Sequence, residues 1–342
     1  MRTASCVRSV SSLMGGTGYT ARAGSEVPAC AENDGLHPSK GVRSTICAAV
    51  LEVGAMPLLQ PESLSHGHYE CRLLDETLPV FTDLLASEVV RRDDGAAVVR
   101  HPNTPWTLVV HEGGPDAPVK PHANHYGFRV SEHTEIDAAA AYLQEHRERY
   151  GLTLIDGPRG SHFAYSVYID EPGGNTIEIE HYNPRAALHG RQIAAPHWSE
   201  PLSAERFPGR GYVPQALSHG TMQCVDKETS NRFYTEVLGL NIVGGGNIST
   251  YIGAADDPWY IVVLPATERT LLRPVNRYAL RLANRADVLS AHDALGRLMG
   301  SGVSHLGDVC EDGSDAWFVL SDLDANWWEV TSSAEPNLLA LG

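Results

Sequence analysis

Apolar and polar positions alternate most regularly between Gly160 and Tyr182, and this stretch reads as strand, turn, strand. Phe163, Tyr165, Val167 and Ile169 mark a first strand at period two. Ile177 and Ile179 alternate with Glu178 and Glu180 in a second. Between them, Asp170 to Asn175 carries Pro172, Gly173 and Gly174, residues that set turn dihedrals. A carboxylate on the inward face of such a strand needs a metal, an arginine partner or an exposed face, because burying an unpaired charge is costly.

The same reading extends in both directions. Upstream, the pattern predicts a strand over 66–72, a helix over 75–87 and strands near 89–92, 95–101 and 106–111. After Gly113-Gly114-Pro115 the cycle restarts, with a strand over 124–130, a helix over 135–150 and strands near 153–156, 162–169 and 176–182. The chain then repeats itself. Leu64-Ser65-His66-Gly67, followed by Cys71, returns as Leu217-Ser218-His219-Gly220, followed by Cys224. His125-Tyr126 matches Arg277-Tyr278, and Asn175 to Glu178 returns as Asn326 to Glu329. Three anchors in step predict two copies of one domain, over 62–183 and 215–334, with helices near 228–238 and 286–300 in the second. The Pro-, Gly- and Arg-rich run 184–214 reads as a linker. Residues 1–55 are Ser- and Gly-rich. Their acid-poor start can imitate a transit peptide, but an extension without a packed core, with Met56 as an alternative start, is the preferred reading.

Composition narrows the function. With 26 basic and 42 acidic residues among 342, the formal charge is −16, which argues against nucleic-acid or anionic-membrane partners. No apolar run approaches the roughly 20 residues of a membrane helix. Six scattered cysteines without a Cys-x-x-Cys pair favour a reducing cytoplasm over a disulfide framework.

The run Gly160-Ser161-His162, Val167-Tyr168, Glu171-Pro172-Gly173-Gly174 and Glu178 resembles the signature of the type I extradiol ring-cleavage dioxygenases. These belong to the vicinal oxygen chelate superfamily, with glyoxalase I and the bleomycin- and fosfomycin-resistance proteins. The resemblance implies an α+β fold of two tandem domains, each of two paired βαβββ units forming a curved-sheet cup. It implies that His66, His125 and Glu178 converge on a metal in the first copy, a donor set that suits non-haem Fe(II), with Mn(II) as the other choice. His68 and Glu180 are rivals on the same strand faces; the repeat favours His66 and the spacing from Asn175 favours Glu178. His111, His162 and Tyr168 are implied to act on the bound oxygen and the substrate hydroxyl. In the second copy Arg277 stands where the second histidine would be. A guanidinium does not ligate, so that copy is expected to be metal-free, with Arg277 against Glu329.

The expected activity is therefore Fe(II)-dependent cleavage of a catechol-like ring by O2, with a small aromatic substrate and a homo-oligomeric assembly. A glyoxalase-like lyase or isomerase is the alternative, and Glu112 would supply its additional metal ligand. A protein that sequesters an aromatic drug without catalysis is the third reading.

Overall fold

The computed structural model describes residues 56–339, apart from 162, 163, 183–200, 255, 256, 258, 268 and 270. The described chain forms four βαβββ units, the fourth with an additional short strand. The first holds β1 (Ser63–Cys71), α1 (Leu74–Pro79), β2 (Glu88–Asp93), β3 (Ala96–Arg100) and β4 (Thr107–Glu112). The second holds β5 (Tyr126–Arg129), α2 (His133–Glu145), β6 (Leu154–Ser161), β7 (Ala164–Asp170) and β8 (Thr176–Tyr182). The third holds β9 (Ala216–Cys224), α3 (Lys227–Arg232), β10 (Asn241–Gly245), β11 (Thr250–Gly253) and β12 (Tyr260–Pro265). The fourth holds β13 (Arg277–Arg281), α4 (Arg285–Gly296), β14 (Val303–Leu306), β15 (Cys310–Asp312), β16 (Asp315–Asp322) and β17 (Trp327–Thr331). No helix of the described residues is long and apolar enough to cross a membrane.

The helices differ from the pattern in their ends. The helix expected over 75–87 is α-helical only to Pro79 and then widens into a π-helical turn, Val80–Leu84. The helix expected over 228–238 widens in the same way, α-helical to Arg232 and π-helical over Phe233–Val237, without a proline at the junction. The helix expected to reach 150 ends at Glu145, and the chain reverses through Gly151 at φ 60.

The α+β curved-sheet architecture of paired units is present, but the units do not pair in sequence order. One sheet runs β14-β16-β17-β13-β1-β4-β3-β2, with β15 on β16. The other runs β10-β11-β12-β9-β5-β8-β7-β6. The first unit therefore joins the fourth, through β1 antiparallel to β13 (Gly67 opposite Tyr278). The second joins the third, through β5 antiparallel to β9 (Tyr126 opposite Gly220). The intervals 62–183 and 215–334 each contribute one unit to each sheet, so neither closes a cup alone.

The faces turned away from the cups pack into one core. Trp106 and Trp259 stack at 3.8 Å between centroids, flanked by Tyr126 and Tyr278. Tyr126 donates its hydroxyl to the His68 carbonyl at 3.1 Å, and Tyr278 donates to the Thr221 carbonyl at 3.0 Å. These pseudo-equivalent contacts explain the glycine in both Leu-Ser-His-Gly motifs. A Cβ on Gly67 would come 2.7 Å from Tyr126 Oη, and one on Gly220 would overlap the Tyr278 hydroxyl. Trp106→Ala is expected to cost about 3–5 kcal/mol, read from urea denaturation, because the stacked pair leaves a cavity that the sheets cannot close.

Candidate metal centre

The β5/β8/β9 junction places three donor side chains by register alone. Gly127 lies opposite Glu178 in the parallel β5–β8 pair and opposite His219 in the antiparallel β5–β9 pair. His125, two residues before Gly127, projects from the same face. Tyr168 lies opposite Glu178 across β7–β8. The glycine between the donors leaves their space clear: a Cβ there would overlap the His219 ring. Gly127→Ala is expected to displace that ring and weaken metal binding by about 10-fold or more, measured by titration with Mn(II).

His125 Nε2 and His219 Nε2 each lie 3.2 Å from Glu178 Oε2 and 3.4 Å from each other. All three residues are buried. Donor atoms on one cation with bonds of about 2.0–2.1 Å stand about 3–3.4 Å apart, so the cluster has the spacing of a coordination shell. The second nitrogen of each ring is held from behind. His125 Nδ1 is 2.7 Å from the His122 carbonyl, which can only accept, so Nδ1 carries a proton and Nε2 is the nitrogen turned to Glu178. His219 Nδ1 meets Glu180 Oε1 at 3.2 Å, and Glu180 is fixed by Arg129 at 2.9 Å and the Ser218 hydroxyl at 2.8 Å. A ring nitrogen tied to a carbonyl or carboxylate is the usual support of a ligating histidine.

The electrostatics carry the same demand for a cation. Burial would raise the Glu178 carboxyl, but His125 and His219 hold it well below the usual carboxylate range. Burial would lower the His219 imidazole, but Glu180 and then Glu178 lift it to about 9. Two buried carboxylates with one guanidinium draw positive charge onto this point. Tyr260 stacks on the far side of His219 at 5.5 Å. Tyr168 sits edge-on to His125 at 5.5 Å and 4.6 Å from His122, with the guanidinium of exposed Arg159 over its ring.

The other predicted residues fall elsewhere. His66 lies on β1 in the opposite sheet, with its Nε2 3.6 Å from Glu329, so it does not join His125 and Glu178. The repeat copy of its motif, His219, takes that place. His111 lies on β4 in the same opposite sheet and hydrogen-bonds His68 at 2.8 Å, so it faces no part of the His125 cluster. Glu112 accepts the Leu74 N–H at 2.8 Å at the start of α1 and is likewise in the other sheet. His162 lies outside the described residues. Arg277 does pair with Glu329, at 2.8 Å. Sequence reasoning missed His219 as the partner of His125, as well as His122, Arg129 and Tyr260. The signal for His219 was the repeated Leu-Ser-His-Gly; the other three carry none beyond the density of polar residues near the motifs.

Residues 71–179 match the family model described as Glyoxalase/Bleomycin resistance protein/Dioxygenase superfamily. A catechol-2,3-dioxygenase of Bacillus subtilis (strain 168) is 21% identical over 199 residues, which is 53% of this chain and 66% of the relative. An iron-dependent extradiol dioxygenase of Rhodococcus jostii (strain RHA1) is 27% identical over 157 residues, 44% of each chain. The chain thus spans just under two-thirds of one of these relatives and less than half of the other. Among solved structures, a Bacillus subtilis protein provisionally described as a dioxygenase has a TM-score of 0.54 at 14% identity, covering 83% of this chain and 88% of its own. Glyoxalase I from Zea mays has a TM-score of 0.51 at 15% identity, covering 78% of this chain and 90% of its own. At such identities these two likenesses speak to the fold.

Proposed function

We propose that this chain, which carries a domain of the glyoxalase/bleomycin resistance protein/dioxygenase superfamily, is a metal-dependent dioxygenase that opens a catechol-like ring with O2. Its ligands are His125, His219 and Glu178, and its metal is Fe(II), with Mn(II) served by the same donors. The observation that carries this reading is the cluster of two inward Nε2 atoms and one carboxylate oxygen within 3.4 Å of one another. Two imidazoles and one carboxylate leave open positions for a substrate and a gas, the donor set suited to non-haem Fe(II). Such an ion, when bound, supplies the redox chemistry and a meeting point for the diol and oxygen.

The chain's own groups do the rest. Tyr168 stands beside His125 to donate a hydrogen bond to a substrate oxygen. His122, exposed on the same side, is an imidazole placed to accept the diol's proton. Arg129 and Glu180 keep His219 in one orientation. The lyase or isomerase reading loses its additional ligand, because Glu112 is engaged at the start of α1 in the other sheet.

The full chain, reconstituted anaerobically with Fe(II), is expected to consume oxygen with a panel of catechols and to form a yellow ring-opened product. Tight metal binding without oxygen consumption on any catechol would overturn the dioxygenase reading in favour of lyase or isomerase chemistry. Tyr168→Phe is expected to lower kcat by about 100-fold with metal content unchanged, as for loss of a group that handles a proton in the transition state.

A further inference from the structure

We propose that the sheet formed by the first and fourth units holds a second metal ion, bound by His66, His68 and Glu329. This inference is independent of the dioxygenase reading and concerns the opposite cup.

His66 Nε2 lies 3.6 Å from Glu329 Oε1, and His68 Nε2 lies 3.4 Å from Glu329 Oε2. One donor atom from each of the three residues falls within 4.8 Å of the others, and all three residues are buried. Neither Nε2 atom has a hydrogen-bond partner. Two orphaned nitrogens sealed from water and aimed at one carboxylate need something between them, since unpaired buried polar atoms are rare and costly.

The proton positions favour a cation there. With the Ser65 hydroxyl donating to the Ala279 carbonyl at 3.3 Å, its oxygen is free to accept from His66 Nδ1–H at 2.9 Å. That leaves the His66 Nε2 lone pair pointing inward. His68 Nδ1 is 2.8 Å from His111 Nε2; with the proton on His68 Nδ1, its Nε2 lone pair also faces Glu329. Both rings then have the rear support expected of ligating histidines.

The two cups show how the ligand set changed. His66 and Glu329 correspond to His219 and Glu178 in the repeat, but His125 corresponds to Arg277. A guanidinium cannot ligate. His68, whose counterpart is Thr221, supplies the nitrogen that Arg277 withdrew. Arg277 instead donates to Glu329 Oε2 at 2.8 Å and reaches the Leu339 carbonyl at 3.4 Å, while Asn337 donates to Glu329 Oε1 at 2.7 Å. The carboxylate is thereby oriented and the C-terminal segment closed over it. The guanidinium also repels a cation, so this is the weaker site. Two imidazoles and a carboxylate, buried together, suit Zn(II) or Co(II).

The test is the stoichiometry of Co(II) on the full chain after chelator stripping, reloading and dialysis. Two ions per chain are expected for the unsubstituted protein, one for His68→Ala, and one, the weaker, for His125→Ala. A single ion that His68→Ala retains would overturn the proposal. So would an unsubstituted chain that binds one ion and a His125→Ala variant that binds none, an outcome that stays readable if His68→Ala fails to fold. Loss of the dioxygenase site alone would show as His125→Ala binding as many ions as the unsubstituted chain.

Discussion

Replacing His219 by alanine is expected to release the ion held with His125 and Glu178 and to lower metal-dependent turnover by more than about 100-fold. Loss of an outer partner of a ligand alone typically costs about 10–100-fold, and His219 is placed as a direct ligand, 3.2 Å from Glu178. The result separates two ways of assembling the same four units. If the first and second units shared a cup, His66 would be the third ligand and His219 would lie in a metal-free copy. With the second and third units paired through β5 and β9, His219 completes the site. His66→Ala leaves the donors of that site untouched, and its effect is expected on stability instead. Oxygen consumption, measured side by side on the two variants, checks the assignment.

Arg129→Met is expected to destabilise the fold by about 3–5 kcal/mol, because it leaves a buried carboxylate without its counter-charge. Arg129 and Glu180 are both buried and meet at 2.9 Å. Burial would raise the Glu180 carboxyl, but Arg129 and then His219 hold it at about 2. Glu180 is thus more acidic in the folded chain than in the unfolded one. Its stabilising contribution is complete above the ordinary carboxylate value and is lost as pH falls from about 4.5 towards about 2. Urea denaturation at pH 7 and pH 3 should show a smaller acid loss in Arg129→Met than in the unsubstituted chain. Arg129→Met with Glu180→Gln should recover part of the lost stability, since both charges are then gone. The single variant should also weaken metal binding, because Glu180 no longer has the partner that aims it at His219.

Much of this arrangement was legible along the chain. The hairpin through Asp170 to Asn175 fixes β7 against β8, and its register alone sets Tyr168 opposite Glu178. The repeated Leu-Ser-His-Gly marks β1 and β9 as equivalent strands, and the cups bear out that equivalence in Gly67 and Gly220. The choice of sheet partners was not legible. β1 and β9 carry the same motif, and either can lie antiparallel to β5; the packing of Trp106 on Trp259 and of Tyr126 and Tyr278 over the two glycines is a tertiary outcome that no local pattern encodes. That choice moved His66 and His111 away from His125 and brought in His219. The supporting residues were hidden for a related reason. Glu180 and Arg129 become outer partners of a ligand only once β9 lies beside β5.

The most direct measurement of the central claim is anomalous diffraction from crystals of the full chain grown with Mn(II). The assembly of the second and third units predicts a peak bonded to His125 Nε2, His219 Nε2 and a Glu178 oxygen, at about 2.0–2.3 Å from each. Crystals saturated with Mn(II) that show no peak between these three residues would contradict it.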